Sequence, residues 1–378
     1  MISPQFRPLY GGYEHAAERL SGALARRGLE VVVISERRDR SWPASETLEG
    51  FEIRRLWCLY RRHMHTGTSL FSFARFLLTN GRRFDVWHVH QYGYHAALSV
   101  ALGKLLRRPV VLKLTNSEAM GIGSVLGSGL VGRTLEYLHR RVSACIAISE
   151  ETRSEAISFG IPAGRVRLIP NGLDPDQFLP ATAEQRVEAR RVLGLDRDRI
   201  VLSVGRLSDE KNPLGLLEAW ANVTPVLRAG ALLALVGDGP QEELVRAKVA
   251  ELKLGDSVLL AGRRIDVASW YRAADIYVIA SHNEGLSNSM IEALAAGLPV
   301  ISTKVSGSSF LEAGAASGLV VGTGRTEELT RALEELLSNE SLRSTLAGNA
   351  RQSFENHFLL ELVAEKSMSL YGDVASSR

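Results

Sequence analysis

Short, continuous apolar runs alternate with helix-patterned stretches along almost the whole chain, and this alternation constrains the fold most. In the first half the runs are Val31–Ile34, Asp85–His90, Val110–Leu114, Ala144–Ile148 and Val166–Ile169, with Phe51–Trp57 as a further strand nearer an edge. Continuous rather than alternating apolarity marks strands covered on both faces, as in a parallel sheet flanked by helices. Ala16, Ala17, Leu20 and Leu24 recur at helical spacing behind Gly11-Gly12. The rhythm stops after the turn signal Pro170-Asn171-Gly172, in a linker-like bridge with a polar helix over 183–193. It restarts at Ile200–Val204 and continues through Ala231–Val236, Val258–Leu260, Ile276–Ile279, Pro299–Ile301 and Leu319–Val321. Helices are predicted over 213–227, 241–252, 266–273, 289–296 and 326–337, and a last one over 359–371 closes the chain. A chain of 378 residues exceeds what one core supports. The expectation is α/β, with two doubly wound domains facing a central cleft and a boundary near residue 170.

Open α/β sheets bind ligands at the carboxyl ends of their strands, so the residues that follow each strand of the second half are the candidates. They are Gly205-Arg206 with Lys211, then Gly237-Asp238-Gly239-Pro240, then Gly262-Arg263, then the stretch from Ser281 to Ile301. This last stretch reads as strand end, glycine loop, helix, turn and strand. It carries Glu284 in the loop and Glu292 in the second turn of the helix. Asn288 suits the N-cap, and the amides behind it form an anion site. Arg206 and Lys211 make a phosphate pair, a planar fork and a mobile point charge. The competing structural reading is a surface pair bridged to Asp209 and Glu210. Glu292 suits bidentate acceptance from a ribose diol, and Glu284 suits sugar hydroxyls. The competing reading of the two acids is an ordinary helix-start charge pattern.

Glu284-Gly285-Leu286-Ser287-Asn288-Ser289-Met290-Ile291-Glu292 resembles the E-x7-E signature of retaining glycosyltransferases of family 4, which have the GT-B fold of two Rossmann-like domains. Gly11-Gly12, Pro170-Asn171-Gly172-Leu173-Asp174, Gly205-Arg206 with Lys211, Gly237–Pro240 and Ala274-Asp275 resemble other stations of that family. The resemblance implies an N-terminal acceptor-side domain over 1–170, onto which 359–378 packs back, and a donor-binding domain over 171–358. It implies a UDP- or GDP-sugar donor, a glycan or lipid-linked acceptor, retention of anomeric configuration, and no metal or other cofactor. Arg206 and Lys211 would bind the diphosphate, Glu292 the ribose and Glu284 the transferred sugar. Gly12, Gly205, Arg263, Gly285, Leu286, Ser287 and Asn288 would complete the donor site. Three departures stand out. Asn116 occupies the place where many members have a histidine, leaving His90 as the acceptor-side histidine, although a core role suits it equally. The loop Val305–Glu312 lacks the family's proline. Met1–Pro4 reads as the tail of a strand whose start is missing, as a start codon placed too late would produce. The first two departures motivate a second reading, a nucleotide-sugar-binding protein without transfer. A third is a GT-B-type epimerase or phosphorylase.

Charge is uneven. Through Pro180 the chain has 24 Lys and Arg against 16 Asp and Glu, a net of +8, and the remainder has 21 against 26, a net of −5. A basic front half suits an acidic partner such as an anionic membrane or a diphosphate. Arg pairs alternate with aromatics over 54–65 and lead into the apolar stretch Leu70–Leu78; a helix packed on the sheet competes there with a membrane-surface contact. No nucleic-acid partner is expected. No apolar run approaches the ~20 residues of a membrane span, and the chain is expected to be cytoplasmic or at the inner face of the membrane. Cys145 reads as inert core. Asp174-Pro175-Asp176 reads as a turn rather than a metal-binding D-x-D. Among the nine histidines, His63/His65 and His88/His90 are spaced two apart, without Cys or carboxylate neighbours in sequence, so no metal site is expected.

Overall fold

The computed structural model of the chain describes residues 1–9, 11–61, 63–115 and 129–377. They divide into two compact units, Met1–Gly172 with Leu360–Arg378, and Leu173–Leu359.

The first unit holds β1 (Val32–Arg37), β2 (Ser45–Leu48), β3 (Phe51–Trp57), β4 (Trp87–His90), β5 (Val110–Lys113), β6 (Ala144–Ala147) and β7 (Val166–Leu168). β1 pairs in parallel with β3, and β4 to β7 pair in parallel in chain order. The first residues of the chain join the two groups. Ile2 bridges in parallel to Ile34 on one side and to Val89 on the other. The Met1 ammonium is buried beside it and donates to the Val32 carbonyl at 2.6 Å; burial lowers its pKa to about 5. An apolar cavity of about 530 Å³, lined by Val31, Val32, Phe84 and Trp87, lies at the amino ends of these strands. That is the end opposite the ligand-binding rim of an open sheet. β2 was not expected. Three of its four residues are polar, and it pairs antiparallel with β3 through a Glu49-Gly50 turn with φ of 44° and 85°.

Its helices are α1 (Gly12–Arg26), α2 (His65–Asn80), α3 (Tyr94–Leu106), α4 (Gly129–His139) and α5 (Glu150–Ser158). Residues alternate between the sheet's two faces. Val32, Val89 and Leu112 pack with Phe73 of α2, Val100 of α3 and Leu135 of α4. Val33, Val111 and Ile146 pack on the other face with Leu20 and Leu24 of α1 and with Val363 and Ala364 of the closing helix, Leu360–Ser376. Arg27 and Glu361 pair at 2.8 Å across those two helices. Cys145 is fully buried, and burial pushes its thiol up to about 12.

The second unit holds β8 (Arg199–Val204), β9 (Ala231–Val236), β10 (Val258–Gly262), β11 (Ile276–Ile279), β12 (Val300–Thr303) and β13 (Gly318–Val321). All pair in parallel, in the order β10-β9-β8-β11-β12-β13. The chain enters at β8, winds one way to β10, then reverses at β11. The crevice between β8 and β11 is therefore the topological switch point. The helices are α6 (Ala183–Leu193), α7 (Pro213–Asn222), α8 (Pro225–Ala229), α9 (Glu242–Glu251), α10 (Ala268–Ala273), α11 (Asn288–Ala295), α12 (Ser309–Glu312), α13 (Thr326–Ser338) and α14 (Glu340–His357). The helix expected over 213–227 is two, because Pro225 cannot donate inside a helix and starts a new one. α14 was not expected: only a narrow stripe, including Leu346, Ala350 and Phe354, is buried on its 18 residues. α6 buries no residue of its own and is held by charge. Arg186 and Arg190 pair with the buried Asp275 at 3.1 and 2.6 Å, and Asp275 also accepts from the Ile200 amide at 2.7 Å. Asp174 accepts from the Asp176 amide at 3.0 Å, an Asx turn.

Candidate active site

The site is built at the switch point of the second unit by two interlocked loops. The Gly205 amide donates to the Val236 carbonyl (3.0 Å), Leu207 N–H to Asp238 (2.9 Å) and Gln241 N–H to Leu207 (2.9 Å). Gly237 has φ of +145°, and a Cβ there would stand 1.9 Å from the Gly205 oxygen; at Gly239 it would stand 2.3 Å from the Leu207 oxygen. Side chains are excluded at both places because the two backbones touch. This clasp fixes the exit of β8. Arg206 is exposed on it. The short 3-10 turn Asp209–Lys211 brings Lys211 back over the strand ends. Asn212, with φ of 51°, accepts from the Gly215 amide (3.1 Å), capping α7, and donates to the Ala280 carbonyl at 3.2 Å. One side chain thereby ties the exits of β8 and β11 together.

Across the switch point the Lys211 ammonium pairs with the Glu284 carboxylate, whose Oε1 also accepts from Ser281 Oγ at 2.8 Å. Glu284 is nearly buried and Lys211 about one-third exposed. The partner of Lys211 is thus neither of its sequence neighbours Asp209 and Glu210. Gly205, Arg206, Lys211, Glu284, Ser287 and Ser289 line one narrow pocket, floored by Tyr277. An ammonium has three donors, and Glu284 takes one.

The start of α11 differs by one residue from the expectation. Ser287 is the N-cap and accepts from the Met290 amide at 3.4 Å; Asn288 is the first helical residue. Both residue types cap well, so propensity could not choose between them. Leu286 is buried and sets the loop against the positive-φ Gly307, where a Cβ would meet its side chain at 2.6 Å. Thr303 Oγ1 donates to the Ser281 carbonyl at 2.6 Å. Glu292 is partly buried one turn into α11, where Tyr271 Oη donates to its Oε2 at 3.1 Å. Tyr271 is buried, and burial with Tyr277 and Glu292 nearby raises its pKa well above the phenol range. Tyr277, 5.6 Å away ring to ring, donates to the Val204 carbonyl at 3.2 Å. This tyrosine pair, unnoticed in the sequence, links Glu292 to the end of β8.

The structure thus brings Gly205, Arg206, Lys211, Glu284 and the loop to Ser289 together, with Glu292 beside them. Arg263 is exposed beyond β10 and is not among that pocket's lining. Gly12 and His90 belong to the first unit. Gly12 opens α1, just ahead of the buried Glu14, whose carboxyl pKa burial raises. His90, the last residue of β4, is interior: it is 1% exposed, stacked on His88 at 4.4 Å, and burial holds its pKa well below the imidazole range. Asn116 lies outside the described residues.

The first unit carries a polar cluster that sequence adjacency hid. Glu36, at the end of β1, accepts from Ser69 (2.7 Å) and Arg38 (2.8 Å) and meets His65 Nε2 at 3.0 Å. Burial opposes its ionisation, but these partners outweigh burial and hold its pKa below the usual range. With Cys58, the ligand atoms of Glu36 and His65 lie within 4.8 Å of one another. The fold thus supplies the Cys and carboxylate neighbours that the sequence around His65 lacks. Glu36 already holds three partners, one of them a guanidinium, so its charge is balanced without an ion.

Two family models match the chain: residues 10–177 fit Glycosyltransferase Family 4 and residues 185–353 fit Glycosyl transferases group 1. The chain belongs to the family 4 glycosyltransferases. This glycosyltransferase is 24% identical to an uncharacterized glycosyltransferase of Methanocaldococcus jannaschii, over 98% of its own length and 97% of the relative's. It is 25% identical to the UDP-Gal:alpha-D-GlcNAc-diphosphoundecaprenol alpha-1,3-galactosyltransferase of Escherichia coli, covering 80% and 78%. Its fold matches that of Anabaena HepE, solved in complex with UDP, at a TM-score of 0.80 and 19% identity over 98% of both chains. The fold is GT-B, with two Rossmann-like α/β units.

Proposed function

We propose that this glycosyltransferase moves a hexose, with retention of anomeric configuration, from a UDP- or GDP-sugar to a glycan or lipid-linked acceptor in cell-surface polysaccharide or glycolipid synthesis, working in the cytoplasm or at the inner face of the membrane. The observation that carries the reading is the pairing of Lys211 with Glu284 at the switch point, with Arg206 on the same pocket. A departing nucleoside diphosphate gains negative charge as its bond to the sugar breaks. Preorganised cations and helix-start amides aimed at that charge lower the barrier. Lys211 is held in place by Glu284 with donors to spare, and Arg206 adds a planar fork. Ser287 and the first turn of α11 supply backbone N–H groups. Glu284, on the same ion pair, is placed to fix the sugar relative to the phosphates, and Glu292, steadied by Tyr271, to take the ribose diol. Cations do the electrostatic work here, so transfer should need no metal and survive a chelator. The galactosyltransferase relative, whose name specifies UDP-Gal and a diphosphoundecaprenol acceptor, supports a UDP-sugar and a lipid-linked acceptor.

The test is a thermal-shift screen of UDP- and GDP-sugars, since a ligand that binds the folded state raises apparent stability, followed by product analysis with lipid-diphosphate acceptors and chelator. Stabilisation by one nucleotide class and an α-linked product from an α-linked donor are expected. Tight donor binding without transfer to any acceptor would turn the reading into that of a binding protein. A rearranged sugar nucleotide without acceptor would make it an epimerase.

A further inference from the structure

Resting on the transferase reading, we propose that Arg55 is a positioning residue for sugar transfer: from β3 it holds the loop over residues 5–9, which leads into α1, in the place that transfer requires. The loop's location is the first observation. Ile2 bridges in parallel to β1 and β4, and the Glu36 amide still donates to the Pro4 carbonyl at 2.9 Å. Residues 5–9 therefore leave the sheet at its carboxyl end, before α1 begins at Gly12. That end is where open α/β sheets meet their ligands. Loops there move unless something ties them. Arg38 donates to Gln5 Oε1 at 3.2 Å, and Arg7 pairs with Glu18 of α1 at 3.2 Å. Phe6 is buried and packs edge-on against Phe51 of β3 at 6.5 Å.

The second observation is the tie on the loop's backbone. Arg55, 48 positions on, donates from Nε and Nη2 to the Arg7 carbonyl at 3.1 and 3.0 Å. A planar fork closing on one oxygen fixes its direction as well as its distance. Nη1 donates to the Pro43 carbonyl at 3.1 Å, and Nη2 also pairs with Glu46 of β2. One guanidinium thus joins β3, the connection from β1 to β2, and the rim loop.

The third observation is that stability is a poor reason for this residue. The Arg55 side chain is 2% exposed, whereas its one acid partner, Glu46, is 37% exposed. A buried guanidinium is costly, and an apolar residue of similar volume commonly serves stability as well or better. What an apolar side chain lacks is a grip on a carbonyl. The second unit fixes its strand exits with the Gly205–Gly237 contact and with Asn212, beside Arg206 and Lys211. Arg55 is the first unit's counterpart. Being buried, it acts through the Arg7 carbonyl and the loop.

The test compares Arg55→Met, which keeps the volume, and Arg55→Lys, which keeps the charge without the fork. Glu46→Gln is the control: it removes an ion pair of the same guanidinium and leaves Arg7 untouched. Transfer is measured with the donor and lipid-diphosphate acceptor that the wild type turns over fastest, and nucleotide binding by the melting shift with UDP or GDP. A misplacement of about 1 Å far from the chemistry costs about a hundred-fold, so both Arg55 variants should lower kcat/KM for the acceptor by about ten- to a hundred-fold. The melting temperature should hold within about 5 °C, and its shift with the nucleotide should not change. Hydrogen exchange should quicken at residues 5–9 and not in β3. Glu46→Gln should transfer within about two-fold of the wild type. Arg55 variants that transfer as well as the wild type overturn the proposal. So does a loss that Glu46→Gln matches, or one that comes with a larger fall in melting temperature or with faster exchange throughout the first unit; each assigns Arg55 to stability alone. In all these outcomes the transferase reading stands. A wild type that transfers to no acceptor fails that reading, and this proposal with it.

Discussion

Lys211 and Glu284 are 73 positions apart in the chain and in contact in the fold. Their residue types and strand-end positions mark them as candidates; that each is the other's partner comes only from the crossing of β8 and β11. If Lys211 steadies the leaving diphosphate, Lys211→Ala should lower kcat/KM by about a hundred- to a thousand-fold, in line with loss of one preorganised donor, while the melting temperature holds. Unchanged turnover and donor affinity would refute the clamp. Tyr271 acts through Glu292. Its one hydroxyl proton is shared between that carboxylate and the Ser289 carbonyl, at 3.1 and 3.2 Å, so Tyr271→Phe leaves the ring packing and removes the donor. We expect a several-fold rise in donor KM with kcat nearly unchanged, and about 1 kcal/mol lost in stability; steady-state kinetics and denaturant melts check both. Asn212 and Tyr271 were illegible in the sequence because neither sits in a motif, and each works on residues tens of positions away.

Elements were legible where the apolar pattern was strong. The five strands expected after β8 all appear, because buried parallel strands read as unbroken apolar runs. β2 and α14 escaped notice, one mostly polar and on an edge, the other with only a narrow buried stripe. At the loops, the glycines of Gly237–Pro240 marked a turn, but their reason is the exit of β8 pressed against them. Gly237→Ala places a methyl against the Gly205 carbonyl, which must move. It should destabilise the second unit by roughly 2–3 kcal/mol, as overpacking and positive-φ strain do, and loosen donor binding by displacing Arg206. A calorimetric melt with and without UDP reads both effects. The one-residue shift of the N-cap from Asn288 to Ser287 is of the opposite kind: local chemistry allowed either, and in the fold it is Ser287 that accepts from the Met290 amide.

At the scale of the whole molecule, the first unit carries a liability that the second lacks among its described residues. His88 and His90 on β4 and Lys113 on β5 are buried together, and burial lowers all their pKa values, Lys113 to about 8. The unfolded chain therefore binds protons that the folded unit refuses. Lys113's share of this stability is already lost once pH has fallen to about 8; the imidazoles' share is fully present above the ordinary imidazole pKa near 6.5 and is lost as pH falls below it, by about 1.4 kcal/mol per pH unit for each imidazole. The raised pKa of Glu14 works in the opposite direction at lower pH. The first unit should therefore unfold at mildly acidic pH before the second, and His88→Gln with His90→Gln should flatten that dependence; hydrogen exchange across pH 4.5–7.5 (roughly the imidazole range) resolves the units. The sequence by itself determined the α/β class, the two blocks of strands, and the glycine loop with its two acids. Those features are local: unbroken apolarity, helical period and motif spacing. Only the tertiary structure decided which cation meets which carboxylate, that Ser287 caps the helix, and that His90 is interior. Burial and partnership are set by chain segments far apart in sequence, and local pattern does not contain them.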